Sequence, residues 1–259
     1  MIALQAGTLC SREIVRFVRQ RSRVTGALLQ PLVFWLLLGA GLGASFKPSG
    51  MPDHVTYAQY FYPGTMVLVL LFSAIFSTIS TVEDRKTGFL QGVLVAPISR
   101  NTIVLGQALG GAVLALVQGA IFLALAPLAG IPLSFAAAII TIALMAIVAF
   151  ALTNIGLAIA WRIDSTQGFH AIMNLILLPM WMLSGAFFPL SGAPVWLEWT
   201  MRLNPLTYAM SAIRQSLYLA QPALAGPTPA FGRSVLIAIA FAAFAYLLAT
   251  RTARHAVVA

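Results

Sequence analysis

The chain has 259 residues, 60% of them hydrophobic and 8% charged, and its 15 Lys and Arg against six Asp and Glu give a net charge of +9. So oily a composition, carried in long apolar runs, argues against a soluble domain. The basic residues are scattered between those runs rather than gathered on one face, which argues against a nucleic-acid partner.

In chain order, residues 3–23 carry Arg12, Arg16, Arg19, Arg21 and Arg23, with Leu9, Ile14, Val15 and Val18 at helical spacing. This predicts an amphipathic helix over 1–24 at the cytoplasmic membrane interface. Its long, mixed basic segment is unlike a cleavable signal, so it is expected to be retained. Cys10 is the single cysteine, which rules out an intramolecular disulfide or a cysteine-rich metal site within one chain.

Six apolar runs follow, at 25–46, 62–82, 103–129, 134–161, 169–188 and 231–250. Each approaches or exceeds the ~20 residues that carry a helix across a bilayer, and none alternates as a membrane barrel strand would. The expected fold is an all-α integral membrane protein, one domain over 1–259. With the N-terminus in the cytoplasm, 11 of the 15 basic residues fall on that side, so the positive-inside rule sets both termini there. A bacterial plasma membrane is the expected location.

The second and third runs are joined by the 83–100 loop, which completes the stretch TVEDRKTGFLQGVLVAPISR at 81–100. Glu83, Asp84, Arg85 and Lys86 lead into Phe89, Leu90, Val93 and Leu94 at helical spacing before Pro97. The pattern predicts a short amphipathic helix lying along the membrane, its charged lead suited to a soluble partner. Within the runs, Gly106 and Gly110 are spaced for close helix approach. Gln107 and Gln118, eleven residues apart, share a helix face. With Asn154 and Asn174 they line a translocation path or form interhelical hydrogen bonds. Pro31 and Pro179 predict kinks. Between the last two runs, in the outer segment 188–218, the stretch FFPLSGAPVWLEW at 187–199 holds four large aromatics, and then Asn204 and Pro205 start an amphipathic helix. This outer segment is expected to be re-entrant.

No HExxH, GxSxG or close acidic pair lies within a span, so no catalytic or metal site is expected. Asp53, Glu83, Asp84, Asp164 and Glu198 fall at span ends or in loops, Glu13 falls in the tail, and His170 lies near the inner end of the fifth span. An ion-coupled carrier, which usually has an ionisable group near mid-membrane, is therefore the second reading. The chain also lacks the GxxxxGK[ST] loop that cradles nucleotide phosphates. Active transport would need its energy from another polypeptide, meeting this one on the cytoplasmic face.

At Glu83, Arg85, Gly88, Leu90, Leu94 and Pro97, continuing through ISRNTIVLGQ, the chain resembles the permease subunits of type-2 ATP-binding-cassette exporters. That is the family of the daunorubicin-resistance and nodulation lipo-oligosaccharide exporters. LNPLTYAMSAIRQSLY is similar to the segment before that family's last span, whereas Phe89 and Gln91 depart from its usual residues. The resemblance implies a coupling helix at Glu83, Asp84, Arg85, Gly88, Phe89, Leu90, Leu94 and Pro97, and an outer gate around Asn204, Pro205 and Tyr208. It also implies two ATPase subunits, which bind ATP and Mg in place of this chain, and a second permease copy or close paralogue. The expected cargo is an amphiphile such as a drug, lipid or glycolipid.

Overall fold

The computed structural model describes residues 2–43, 52, 55–95 and 98–255. It is built of α1 (Ile2–Arg19), α2 (Arg21–Leu42), α3 (Tyr57–Lys86), α4 (Phe89–Val95), α5 (Arg100–Ala124), α6 (Phe135–Ala160), α7 (Thr166–Trp181), α8 (Val195–Leu203), α9 (Pro205–Leu217) and α10 (Phe231–His255). No strand occurs among the described residues. Six helices are long and apolar enough to cross a bilayer: α2, α3, α5, α6, α10, and α7 together with the π turn that continues it to Ala186. The chain is a multi-pass membrane protein, and each spanning helix overlaps one expected run. Pro97 and the expected span end at Phe46 lie outside the described residues, as does Asp53.

Side-chain caps set where several helices begin. Thr56 Oγ1 accepts from the Gln59 N–H at 3.2 Å while the Gln59 side chain accepts from the Thr56 N–H at 3.1 Å, a capping box at the start of α3. Ser99, Ser134 and Ser165 accept from Thr102, Ala137 and Gly168 in the same manner.

The bundle is arranged around α3, whose most apolar stretch is 94% buried against 11% for α2. Its neighbours are α2, α5, α6, α7 and α9. Small residues allow this crowding. A Cβ on Gly111 would stand 2.6 Å from Thr153 Cγ2 and 2.7 Å from Ser77 Oγ, and one on Gly156 would stand 2.5 Å from Thr78 Oγ1. These two glycines let α5 and α6 close on α3.

Gly106 and Gly110 also mark a close approach, but their partner is α1 rather than a second span. Added Cβ atoms would lie 2.9 Å from the Ala6 carbonyl and 3.2 Å from that of Cys10. α1 therefore docks on α5, burying Ala6, Glu13 and Phe17. The expected apolar stripe differs from this face, since Val15 and Val18 are exposed. Backbone proximity at the two glycines, and polar partners on α3, select the inward face more strongly than apolarity does.

The amphipathic helix expected in the outer segment is enclosed by protein. α9 is buried at every residue from Leu206 to Arg214, and at Ser216 and Leu217. It is enclosed by α6, α10, α3 and the π turn. Its hydroxyls are satisfied inside the protein, Ser216 Oγ with Thr141 Oγ1 at 2.9 Å and Thr207 Oγ1 with the Met201 carbonyl at 2.6 Å. The apolar surface falls instead on α8, where Trp196, Trp199 and Leu203 are exposed.

Candidate functional site

The last turn of α3 carries Glu83, Asp84 and Arg85 to the end of the bundle where α4 lies. Arg12 grips Asp84 with both guanidinium ends, at 2.8 and 2.9 Å, and also reaches Glu13 Oε1 at 2.9 Å. Arg16 donates to Asp84 and, at 2.8 Å, to Glu83 Oε2, while Arg23 donates to Glu83 Oε1. Ser80 Oγ donates to Glu13 Oε2 at 2.8 Å. Three cations thus face three carboxylates, joined by bidentate, charge-assisted bonds. Burial pushes the Glu13 carboxyl above its ordinary value, and the Ser80 hydroxyl and Arg12 pull it part of the way back.

Arg85 points to another neighbour, donating to Asp164 Oδ1 at 2.7 Å and to the Trp161 carbonyl at 2.5 Å. The sequence pattern offers Glu83, Asp84 and Arg85 to a soluble partner, whereas in the structure all three bond within the chain. The arginines of α1, spaced four residues apart on one face, reach them first. Lys86 and Thr87 remain exposed.

Gly88, at φ 74°, takes the left-handed turn that leads α3 into α4. The predicted apolar face of α4 then divides. Leu90 is buried with Ile103, Val104 and Trp161, and Val93 and Leu94 pack partly on the same cluster. Phe89 is 42% exposed with the Arg12 guanidinium 3.7 Å over its ring. Gln91, Gly92 and Val95 are exposed. Arg12 therefore touches α1, α3 and α4 at once.

The far end of α3 meets the π turn after α7. Tyr60 OH donates to the Gly185 carbonyl at 2.9 Å, Tyr57 OH to that of Phe187 at 3.1 Å, and Trp181 Nε1 to that of Gly64 at 2.8 Å. Gly185, at φ 80°, turns the chain there. Asn204 caps α9 by accepting from the Leu206 N–H at 3.0 Å and donates to the Met180 carbonyl at 2.6 Å. Pro205 supplies the first helical residue, and Tyr208 OH donates to the Arg202 carbonyl at 3.0 Å. Asn204 ties the α8–α9 corner to the end of α7, and Tyr208 ties α9 back to α8.

The ABC-2 type transporter family matches residues 4–218, which hold both of these ends. The chain belongs to this family. It is similar to transport permease ycf38 of Cyanophora paradoxa, 30% identical over 209 residues, 80% of this chain and 71% of that protein. It is also similar to nodulation protein J of Rhizobium leguminosarum bv. viciae, 27% identical over 201 residues, 77% of this chain and 76% of the relative. The multidrug ABC transporter permease YbhR of Escherichia coli is 25% identical over 173 residues, 66% of this chain and 46% of its own. The chain is thus an ABC-2 transport permease.

Within this permease the four path candidates have different surroundings. Gln118 Oε1 accepts from Ser73 Oγ at 2.9 Å, a buried bond between α5 and α3. Gln107 and Asn154 are buried, and each has a side-chain oxygen without a hydrogen-bond partner among the described residues; Asn154 Nδ2 donates to its own helix at Phe150, 2.8 Å away. Asn174 is exposed on α7 beside Leu175, which is 75% exposed. Three of the four are thus buried, and the fourth is exposed. Sequence reasoning missed Arg12, Arg16 and Arg23 as partners of the acids, although two acids on one helical turn opposite arginines at i and i+4 carry that signal. It also missed Arg214, a cation inside an otherwise neutral α9.

Proposed function

We propose that this permease is the membrane-spanning subunit of an ATP-driven exporter that moves an amphiphilic drug, lipid or glycolipid out of the cytoplasm. ATP and Mg are bound and consumed by separate ATPase chains, two per complex, and a second permease copy or close paralogue completes the pore. Both termini lie in the cytoplasm of a bacterial cell, and the α4 end meets the ATPases. The absent phosphate-binding loop and the names of the nodulation and multidrug relatives support this reading.

The observation that carries it is the build of the α4 end. α4 presents Phe89, Gln91 and Val95 outward, while Leu90 anchors it and Arg12 links Phe89 to Asp84. A push on α4 would pass to α3 through Gly88 and to α1 through Arg12, because a balanced ionic cluster moves as a unit more readily than it separates. Gln107, Gln118, Asn154 and Asn174 are the polar groups from which the path is drawn, and the corner at Asn204, Pro205 and Tyr208 gates its exit.

Reconstitution with the ATPase is the test. Phe89→Asp with Val95→Asp should abolish substrate-stimulated hydrolysis while insertion and the unfolding temperature stay unchanged. Full stimulation in that double variant overturns the docking surface. Transport by the permease in liposomes without any ATPase would instead establish the ion-coupled carrier.

A further inference from the structure

We propose that the cleft between α8, α9 and the 225–233 segment, at the end of the bundle away from α4, binds the anionic headgroup of an amphiphile. Arg214 forms its floor and Arg233 its mouth.

The first observation is a buried charge without a counter-charge. Arg214 is 5% exposed. Among the described residues, no carboxylate lies within ion-pair distance of Arg214 or Arg233. The neighbours of Arg214 are neutral: its Nη2 donates to the Gly185 carbonyl at 3.0 Å, and its guanidinium lies 4.1 Å over the Tyr60 ring. Carbonyl and ring hold a guanidinium in place but leave its positive charge uncompensated, and a buried charge of this kind is costly unless an anion meets it.

The second observation is access. Arg214 lines a narrow inner cleft of about 30 Å³, walled in part by Leu190, Thr207, Pro227, Thr228 and Pro229. The same five residues line a wider outer cleft of about 780 Å³ that contains Arg233, so the two clefts adjoin. Arg233 is exposed, with its guanidinium 5.5 Å over the Tyr208 ring. The one carboxylate lining the outer cleft, Glu198, is bound by Arg202 at 2.5 Å. An anion entering the cleft therefore meets two uncompensated guanidinium groups, which suit phosphate and carboxylate oxygens.

The ligand class follows from what flanks the mouth. Trp199 and Leu203 line the outer cleft and are 61% and 80% exposed. An acyl chain lies on these apolar side chains with its headgroup at Arg233, and an anionic oxygen of the headgroup reaches inward toward Arg214. That such a molecule is cargo rests on the exporter reading. Binding is measured on the isolated permease without any ATPase, so the two ideas fail separately.

The test is calorimetric titration of the full chain in maltoside micelles with short-chain phosphatidylglycerol, phosphatidylcholine of equal chain length, and inorganic phosphate. Phosphatidylglycerol should bind, and Arg214→Gln and Arg233→Gln should each weaken it about tenfold. Arg214→Lys should retain most of the affinity. Arg233→Gln sits on the exposed rim and reports even if Arg214→Gln does not fold. Inorganic phosphate binding as tightly, with the same dependence on both arginines, would keep the anion site and overturn the amphiphile. Equal binding of phosphatidylcholine, or an affinity unchanged in both variants, overturns the site.

Discussion

At the α4 end of the bundle, three guanidinium groups meet three carboxylates; at the opposite end, Arg214 and Arg233 meet carbonyls and aromatic rings. Both ends hold arginine, and only the first is balanced. The difference separates two uses of buried charge. A closed cluster such as Arg12, Arg16 and Asp84 joins elements and has no site left for a ligand, whereas a cation held by neutral groups can accept one.

The most severe way to break the contrast is to unbalance the closed end. Asp84→Asn removes the negative charge shared by Arg12 and Arg16 and one of its two acceptor oxygens, and should cost about 3–5 kcal/mol. This should register as a lower unfolding temperature and as faster proteolysis of α1. An unchanged α1 would mean that the glycine contacts on α5 alone hold it.

At the neutral end the largest structural change is smaller. Asn204→Ala removes the cap of α9 and leaves the Met180 carbonyl without its donor, which should cost about 1–2 kcal/mol. The loss should be independent of salt because no ion pair is involved. A salt-dependent loss would show that the two ends are built more alike than their contacts indicate.

The smallest effect is a pH slope confined to the α4 end. Glu13 titrates above its ordinary carboxylate value when folded, so between those two values the folded chain holds a proton that the unfolded chain has lost. Stability therefore falls as pH rises through that window and levels off above it. Glu13→Gln should flatten this slope in unfolding temperature measured from about pH 4 to about pH 7. A slope of unchanged size would assign it to another group.

Much of the site was legible in the sequence where one residue has one physical role. Gly88 was singled out at the end of α3, and only a residue tolerant of positive φ makes that turn easily. Asn204 and Pro205 read as a helix start, and they cap α9. Other roles needed the fold. Leu90 and Phe89 are adjacent apolar residues, yet one is buried and the other is exposed beneath Arg12. Likewise, Gly106 and Gly110 carry the spacing of a close helix contact without naming the helix that fills it.

The sequence by itself determined that this chain carries six runs long and apolar enough to cross a membrane and has no phosphate-binding loop, because apolar length and local motif are properties of contiguous residues. The tertiary structure alone decided that Arg12, Arg16 and Arg23 serve Glu83 and Asp84, and that Arg214 meets no acid among the described residues. Pairing of charges some 60 to 70 residues apart depends on which helices meet, and that is set by packing around α3.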